Sequence, residues 1–171
     1  SDRSEKDWSV TIVDTGEETM TGARVKKIER YLDGEEFMLT YGDGLANINI
    51  KKLLDFHRSR KGLATVTGVR PLSRFGEIVC KNCKVLEFSE KPQSAQGHVS
   101  GGFFVFKRGF LKYLSSEKDC ILEREPLERL AREGALNMYF HRGFLHCMDT
   151  YRDYLFLKDL WENGKAPWKV W

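Results

Sequence analysis

Asp43 lies between two glycines, directly after an apolar run that is typical of a buried strand. In α/β folds, ligands bind at the C-terminal ends of such strands, and Gly42 and Gly44 would let the backbone approach a ligand closely. A carboxylate is a hard oxygen donor suited to Mg²⁺, which commonly takes one or two carboxylates together with substrate phosphates. Gly-Asp-Gly is also favourable turn chemistry, so a purely structural turn is the alternative.

A second carboxylate, Asp149, ends another short predicted strand and precedes Thr150, which can cap the helix that follows. Taken alone, Asp149 is better explained as a capping residue. Paired with Asp43, it supplies what a metal ion that bridges two phosphates requires, namely carboxylates at strand ends. The two residues together predict a magnesium site.

Two further segments could contact a sugar phosphate. In Glu90-Lys91-Pro92, the lysine is a point charge able to meet a phosphate, and the glutamate can accept hydrogen bonds from hydroxyls. A surface ion pair before a loop is the alternative. Gly101 and Gly102 interrupt a strand pattern, which predicts a bulge or close backbone approach to a ligand, or else a simple bend.

Other site chemistries have little support in the sequence. The four histidines, His57, His98, His141 and His146, show no spacing typical of zinc ligands. The lone C-x-x-C from Cys80 to Cys83 has no further ligands nearby and is better explained as the tip of a hairpin. No serine or cysteine nucleophile has an evident base partner.

The elements that must position these residues follow from hydrophobic periodicity. Alternation of strands and helices in the first half predicts an α/β domain with a parallel sheet and right-handed crossovers. The strand at 37–41 is expected to be buried on both faces. The predicted strands are 10–13, 37–41, 63–69, 75–79, 84–89, 98–106, 137–140 and 145–148; the predicted helices are 22–32, 50–60, 108–115, 125–133 and 151–163.

Composition limits the functional class. With 171 residues, 41% hydrophobic and 31% charged, the chain is expected to form one globular domain with its own core. A net charge of +3 is too small to favour a nucleic-acid partner. There is no apolar run of membrane-spanning length and no secretion signal, so we expect no membrane association and a cytoplasmic location.

Taken in order, the motifs are specific. The chain resembles the sugar-1-phosphate nucleotidylyltransferases, and within them the glucose-1-phosphate cytidylyltransferases, over essentially its whole length. The segments that carry the resemblance are TIVDTGEETMTGAR, FMLTYGDGLANINI, FHRSRKGLATVTG, RFGEI, FSEKP, SGGFFVF, MDTYRD and LWENGKAPWKVW. The resemblance implies a three-layer, Rossmann-like mixed sheet with helices on both faces, of which the N-terminal strands are missing here.

The resemblance also implies roles for the polar residues. Asp43 and Asp149 correspond to paired Mg²⁺ ligands, Lys91 to the lysine that meets the phosphate of glucose 1-phosphate, and Glu90 to the carboxylate that holds its hydroxyls. Gly102 is similar to the backbone that lines the sugar. On the nucleotide side, the implied residues are Thr19, Arg24 and Gly42.

The implied reaction is Mg²⁺-dependent cytidylyl transfer from CTP to glucose 1-phosphate, giving CDP-glucose and pyrophosphate. A truncated sheet and the aromatic C-terminal tail both favour association, so we expect a homo-oligomer. The family opens with a Gly-rich G-x-G-T-R loop that wraps the triphosphate, and the sequence contains no such loop. We therefore expect the chain to be truncated at its N-terminus, a partial domain that is inactive alone. The alternative hypothesis is a non-catalytic remnant that binds a sugar phosphate or mediates oligomerisation.

Overall fold

The computed structural model describes residues 8–70, 77–81, 84–89 and 97–170. Within these ranges the chain forms four α-helices and eight β-strands, with short 3₁₀ segments at Glu29–Tyr31 and Arg108–Tyr113. None of the helices in these ranges is long and apolar enough to cross a lipid bilayer. In chain order the elements are α1 (Thr21–Lys27), β1 (Glu36–Leu39), β2 (Gly44–Ala46), α2 (Ile50–Ser59), β3 (Ala64–Val69), β4 (Glu77–Lys81), β5 (Lys84–Ser89), β6 (Val99–Lys107), α3 (Glu125–Arg132), β7 (Leu136–His141), β8 (Leu145–Cys147) and α4 (Tyr151–Glu162).

A four-stranded mixed sheet in the order β1-β6-β3-β7 forms the centre of the fold. Strand β6 is antiparallel to both β1 and β3, whereas β3 and β7 are parallel. Two smaller antiparallel pairs, β2-β8 and β4-β5, lie outside this sheet. The mixed sheet with helices is the predicted fold class.

The two faces of the sheet bury different sets of side chains. Phe104 and Phe106 of β6 belong to the larger core, which includes residues of α1, the 108–113 segment and α3. Val105 points to the other face and joins Leu53 of α2 in a smaller cluster. This alternation along β6 is the period-two pattern of a strand covered on both sides, and it explains why residues 103–106 are uniformly apolar.

Several expectations about the elements are corrected by the structure. Residues 10–13 are not a strand, and Ile12 is 93% exposed, because β-branched residues favour strands only where a pleated surface is available to pack on. Strand β1 is not buried on both faces, since Met38 is 41% exposed. The strands β1 and β3 are not neighbours in a parallel sheet, because the antiparallel β6 lies between them.

Most other elements match their predictions within a few residues. The predicted helix at 22–32 is α1 followed by a 3₁₀ turn, and the one at 108–115 is a 3₁₀ segment rather than an α-helix. The hairpin is present, with Lys81 paired to Lys84. Its turn residues and the Cys83 end of the C-x-x-C lie outside the described residues.

Candidate functional site

The short β2-β8 ladder brings the backbones of Asp43 and Asp149 close together at one of its ends. Gly44 pairs with Cys147 and Ala46 with Leu145, so each aspartate lies just beyond the same end of the ladder. One further hydrogen bond extends the pairing, from the Met148 N–H to the carbonyl oxygen of Asp43 at 2.8 Å. The structure thus places two aspartates that are 106 positions apart in the sequence at the same end of one ladder.

Asp43 lines an open cleft at the end of the sheet, most of whose lining residues are polar residues or glycines, and Asp149 lies two positions after the cleft residue Cys147. Most of its lining comes from the β1-β2 connection and from the glycine-containing part of β6, with one contribution from β8. The lining residues are Thr40, Tyr41, Asp43, Gly44, Ser100, Gly101, Gly102, Glu123 and Cys147. The cleft therefore lies where the sequence predicted ligand binding.

The two glycines of β6 form the predicted bulge. Val66 pairs with Phe104 but Gly68 pairs with Ser100, so β6 carries extra residues opposite Thr67. Gly102 has φ +73°, and a Cβ there would lie 2.7 Å from the Tyr41 ring. Only glycine allows both that backbone conformation and that close approach, so the bulge in the wall of the cleft requires glycine at position 102.

Negative charge is concentrated at this end of the ladder. Burial raises the pKa of the Cys147 thiol, and the nearby carboxylates of Asp149, Asp43 and Asp153 raise it further. Both candidate ligands thus act electrostatically on one thiol in the cleft. An accumulation of carboxylate charge is the condition under which a bound cation is most stabilising.

The donors present fit a magnesium ion bound jointly with a phosphate. Asp43 and Asp149 supply two hard oxygen ligands, and both residues are open to solvent, where a substrate can complete the coordination. Within the described ranges no group of three or more His, Cys, Asp or Glu side chains could hold a metal by protein ligands alone. A pair of carboxylates is nevertheless the usual protein share of a site that binds Mg²⁺ with substrate phosphates.

The structure gives Thr19 and Arg24 a role in holding the segment before α1. Thr19 is buried, and its hydroxyl donates to the Thr15 carbonyl at 2.6 Å. Arg24 donates to the carbonyls of Thr19 and Glu17 and to the Thr15 hydroxyl. These contacts explain the segment's ordered path, while a role for either residue toward a nucleotide stays a prediction.

Glu123 is a cleft residue that the sequence did not reveal. Its carboxylate accepts a 2.8 Å hydrogen bond from the Thr21 hydroxyl, and that hydroxyl in turn accepts one from the Leu122 N–H at 3.0 Å. The contact joins the start of α1 to a loop about 100 residues later. No local sequence signal marks it, since Glu123 is one of several acidic residues before α3.

A second, apolar pocket lies beside the outer strand β1 and the start of α2. Its lining includes Met38, Leu39, Ile50 and Phe103 and contains no ionisable side chain. It offers no groups for phosphate or metal chemistry, so the polar cleft is the candidate site. The predicted residues Glu90 and Lys91 lie outside the described residues.

Comparison with known proteins shows the family of this chain. A family model described as "Nucleotidyl transferase" matches residues 2–150. The glucose-1-phosphate cytidylyltransferase of Salmonella typhimurium is 43% identical over 165 residues, which is 96% of this chain and 64% of the Salmonella protein. The mannose-1-phosphate guanylyltransferase of Mycobacterium tuberculosis is 26% identical over 127 residues, or 70% of this chain and 34% of that protein.

Solved structures share the fold at low sequence identity. The structure of HddC from Yersinia pseudotuberculosis complexed with GMP-PN superposes with a TM-score of 0.61 at 16% identity, covering 83% of this chain and 62% of that one. The fold class is therefore confirmed. The chain spans slightly less than two thirds of the length of the Salmonella relative.

Proposed function

Because the chain belongs to the nucleotidyl transferase family, we propose that its protein transfers a cytidylyl group from CTP to glucose 1-phosphate. A phosphate oxygen of the sugar phosphate attacks the α-phosphorus of CTP and forms a new P–O bond. The bond from the α-phosphorus to the bridging oxygen breaks, and pyrophosphate leaves. The products are CDP-glucose and pyrophosphate.

The observation that carries the proposal is the position of Asp43 and Asp149 at the same end of the β2-β8 ladder, beside a cleft whose lining includes Gly101 and Gly102. Phosphoryl chemistry of this type needs little covalent help from the protein, and positioning with charge neutralisation supplies most of the rate. When bound by these two carboxylates, Mg²⁺ would neutralise phosphate charge and polarise the phosphoryl oxygens. Asp43 and Asp149 flank the same end of the two-stranded β2-β8 ladder.

The remaining roles belong to the same proposal. Lys91 meets the phosphate of glucose 1-phosphate, Glu90 accepts hydrogen bonds from its hydroxyls, and the backbone at Gly102 lines the sugar. On the nucleotide side, Gly42 offers backbone close to the base or ribose. Thr19 and Arg24 act there through the segment that they order.

The proposal of cytidine among the nucleotides is supported by the 43% identity to the Salmonella enzyme and by the tail sequence GKAPWKVW. We further propose a cytoplasmic homo-oligomer. The sequence holds no G-x-G-T-R loop, and we propose that the 171-residue chain by itself does not turn over CTP.

The test is an assay of the full protein with glucose 1-phosphate, Mg²⁺ and each of CTP, UTP, GTP and dTTP, with CDP-glucose and pyrophosphate measured by chromatography. We expect product with CTP well above the others. Product with none of them, although calorimetry detects glucose 1-phosphate binding, would favour the non-catalytic binding module. CTP turnover by the isolated 171-residue chain would contradict the proposal that the chain alone is inactive.

A further inference from the structure

Asp153, in the first turn of α4, contacts one residue that precedes Asp149 in the chain and one that follows it. Its Oδ2 atom accepts hydrogen bonds from the backbone N–H of Thr150 at 2.9 Å and from the Thr150 hydroxyl at 2.7 Å. Its Oδ1 atom lies 3.0 Å from Nε2 of His146. One carboxylate therefore joins the residue that follows Asp149 to a residue three positions before it.

The two residues that Asp153 contacts, His146 and Thr150, are themselves held by further contacts. His146 belongs to β8 and pairs with Leu45 of β2, and its ring lies against Phe156 at 4.9 Å between centroids. Thr150 is the N-cap of α4, and its hydroxyl also accepts from the Asp153 N–H in a reciprocal capping box. The segment from 146 to 153 is thus a closed loop with Asp149 near its middle.

We propose that Asp153 and His146 form a latch that positions the Asp149 carboxylate for the cation shared with the substrate phosphates. Asp153 and His146 are positioning residues, since their contacts hold the segment on which Asp149 lies. The inference rests on the metal-binding role given to Asp149 in the proposed function. The inference concerns how the Asp149 carboxylate is positioned, and it adds His146 and Asp153 to the site as positioning residues.

Helix capping alone does not account for the arrangement. A capping box needs only the reciprocal contacts between Thr150 and Asp153, and Oδ2 already satisfies these. The second oxygen makes a tertiary contact back to β8, across the turn that carries Asp149. Contacts of this kind, which orient a ligand without touching the metal, commonly change metal affinity by roughly 10-fold to 100-fold when removed.

His146 variants separate the latch from the helix cap. His146→Leu removes the contact to Oδ1 but leaves Thr150 and Asp153 free to cap α4. His146→Gln restores an N–H donor of similar reach and serves as the rescue. Asp159→Ala is the matched control on the same helix, because the Asp159 side chain contacts Asn163 one turn later and lies away from the ladder.

The experiment measures Mg²⁺ affinity of the full protein by calorimetry in the presence of CTP, and amide hydrogen exchange of residues 148–150 without metal. For His146→Leu we expect Mg²⁺ binding weakened roughly tenfold, faster exchange at 148–150, and an unchanged helical circular-dichroism signal. His146→Gln should recover most of the affinity, and Asp159→Ala should match wild type. Asp153→Ala should weaken binding at least as much as His146→Leu.

The Asp149→Asn variant distinguishes two failures. One is failure of the latch, and the other is failure of the proposed metal-binding role of Asp149. If Asp149→Asn weakens Mg²⁺ binding while His146→Leu and Asp153→Ala bind and exchange as wild type does, the latch is refuted and the metal role of Asp149 stands. If Asp149→Asn binds Mg²⁺ as wild type does, the metal role is refuted and the latch with it.

Discussion

The carbonyl oxygen of Asp43 accepts a 2.8 Å hydrogen bond from the N–H of Met148, the residue immediately before Asp149. This bond continues the β2-β8 pairing by one step beyond the ladder. It brings together the backbone segments from which both candidate metal ligands extend. Electrostatic catalysis depends on the placement of such charged groups.

Replacement of Gly102 by alanine should destabilise the fold and damage the sugar side of the cleft. Its φ of +73° costs an L-residue about 1–2 kcal/mol, and the new Cβ would press on the Tyr41 ring 2.7 Å away. Gly134→Ala is the matched control, since Gly134 has φ +65° and a Cβ there would meet no atom of the described residues within 4 Å. Urea denaturation should show a larger loss of unfolding free energy for Gly102→Ala, and equal losses would mean that the Tyr41 contact is unimportant.

Replacement of Thr21 by valine should weaken the junction between α1 and the cleft. Valine has a similar shape but leaves the Leu122 N–H without its 3.0 Å acceptor and releases Glu123. A part-buried donor left unsatisfied costs about 1–3 kcal/mol. We expect lower stability and weaker glucose 1-phosphate binding by calorimetry, with Thr21→Ser close to wild type; a serine variant as impaired as valine would argue against the hydroxyl's role.

The buried histidine His57 should make stability depend on pH. It is 1% exposed, its Nδ1 lies 2.9 Å from the Thr65 hydroxyl, and its Nε2 has no hydrogen-bond partner among the described residues. Burial lowers the pKa of His57, and the nearby cations Lys107 and Arg58 lower it further, while Glu36 acts in the opposite direction. The folded state therefore holds this side chain neutral at a pH where the unfolded chain takes up a proton.

The sign follows from proton linkage. Below the unfolded pKa of about 6.5, the unfolded state binds more protons, so stability falls as pH decreases, by at most about 1.4 kcal/mol per pH unit for one group. Above about pH 6.5 this group contributes no slope. Urea denaturation between pH 5 and 8 should show a shallower decline for His57→Gln than for wild type, whereas the exposed His98→Gln should keep the wild-type slope. A His57→Gln profile parallel to wild type would contradict this assignment.

Local chemistry in the sequence was enough to predict parts of the site. The strand-end positions of Asp43 and Asp149, the cap at Thr150 and the bulge at Gly101-Gly102 all depend on residues close in sequence. Each has a short-range physical cause, namely a turn, a capping hydroxyl or a glycine φ value. Such causes can be inferred from a single sequence.

Long-range relationships could not be predicted in the same way. The insertion of β6 between β1 and β3 leaves the hydrophobic pattern of each strand unchanged, so periodicity does not show strand order. The Thr21–Glu123 hydrogen bond joins residues 102 positions apart and depends on the tertiary placement of both segments. The His146–Asp153 contact spans only seven positions but depends on how α4 is oriented relative to β8. The exposure of residues 10–13 likewise depends on tertiary context, which overrides β-propensity.

The most direct test of the account is cytidylyl transfer by the full protein carrying Asp43→Asn, Asp149→Asn or both, with Asp55→Asn on the exposed side of α2 as the control. If the two carboxylates hold one cation, each single variant should lose roughly 10²-fold or more in kcat. The double variant should lose little beyond that, because residues that act as a unit are strongly non-additive. Near-wild-type turnover in either single variant, or losses that multiply in the double variant, would contradict a shared metal site.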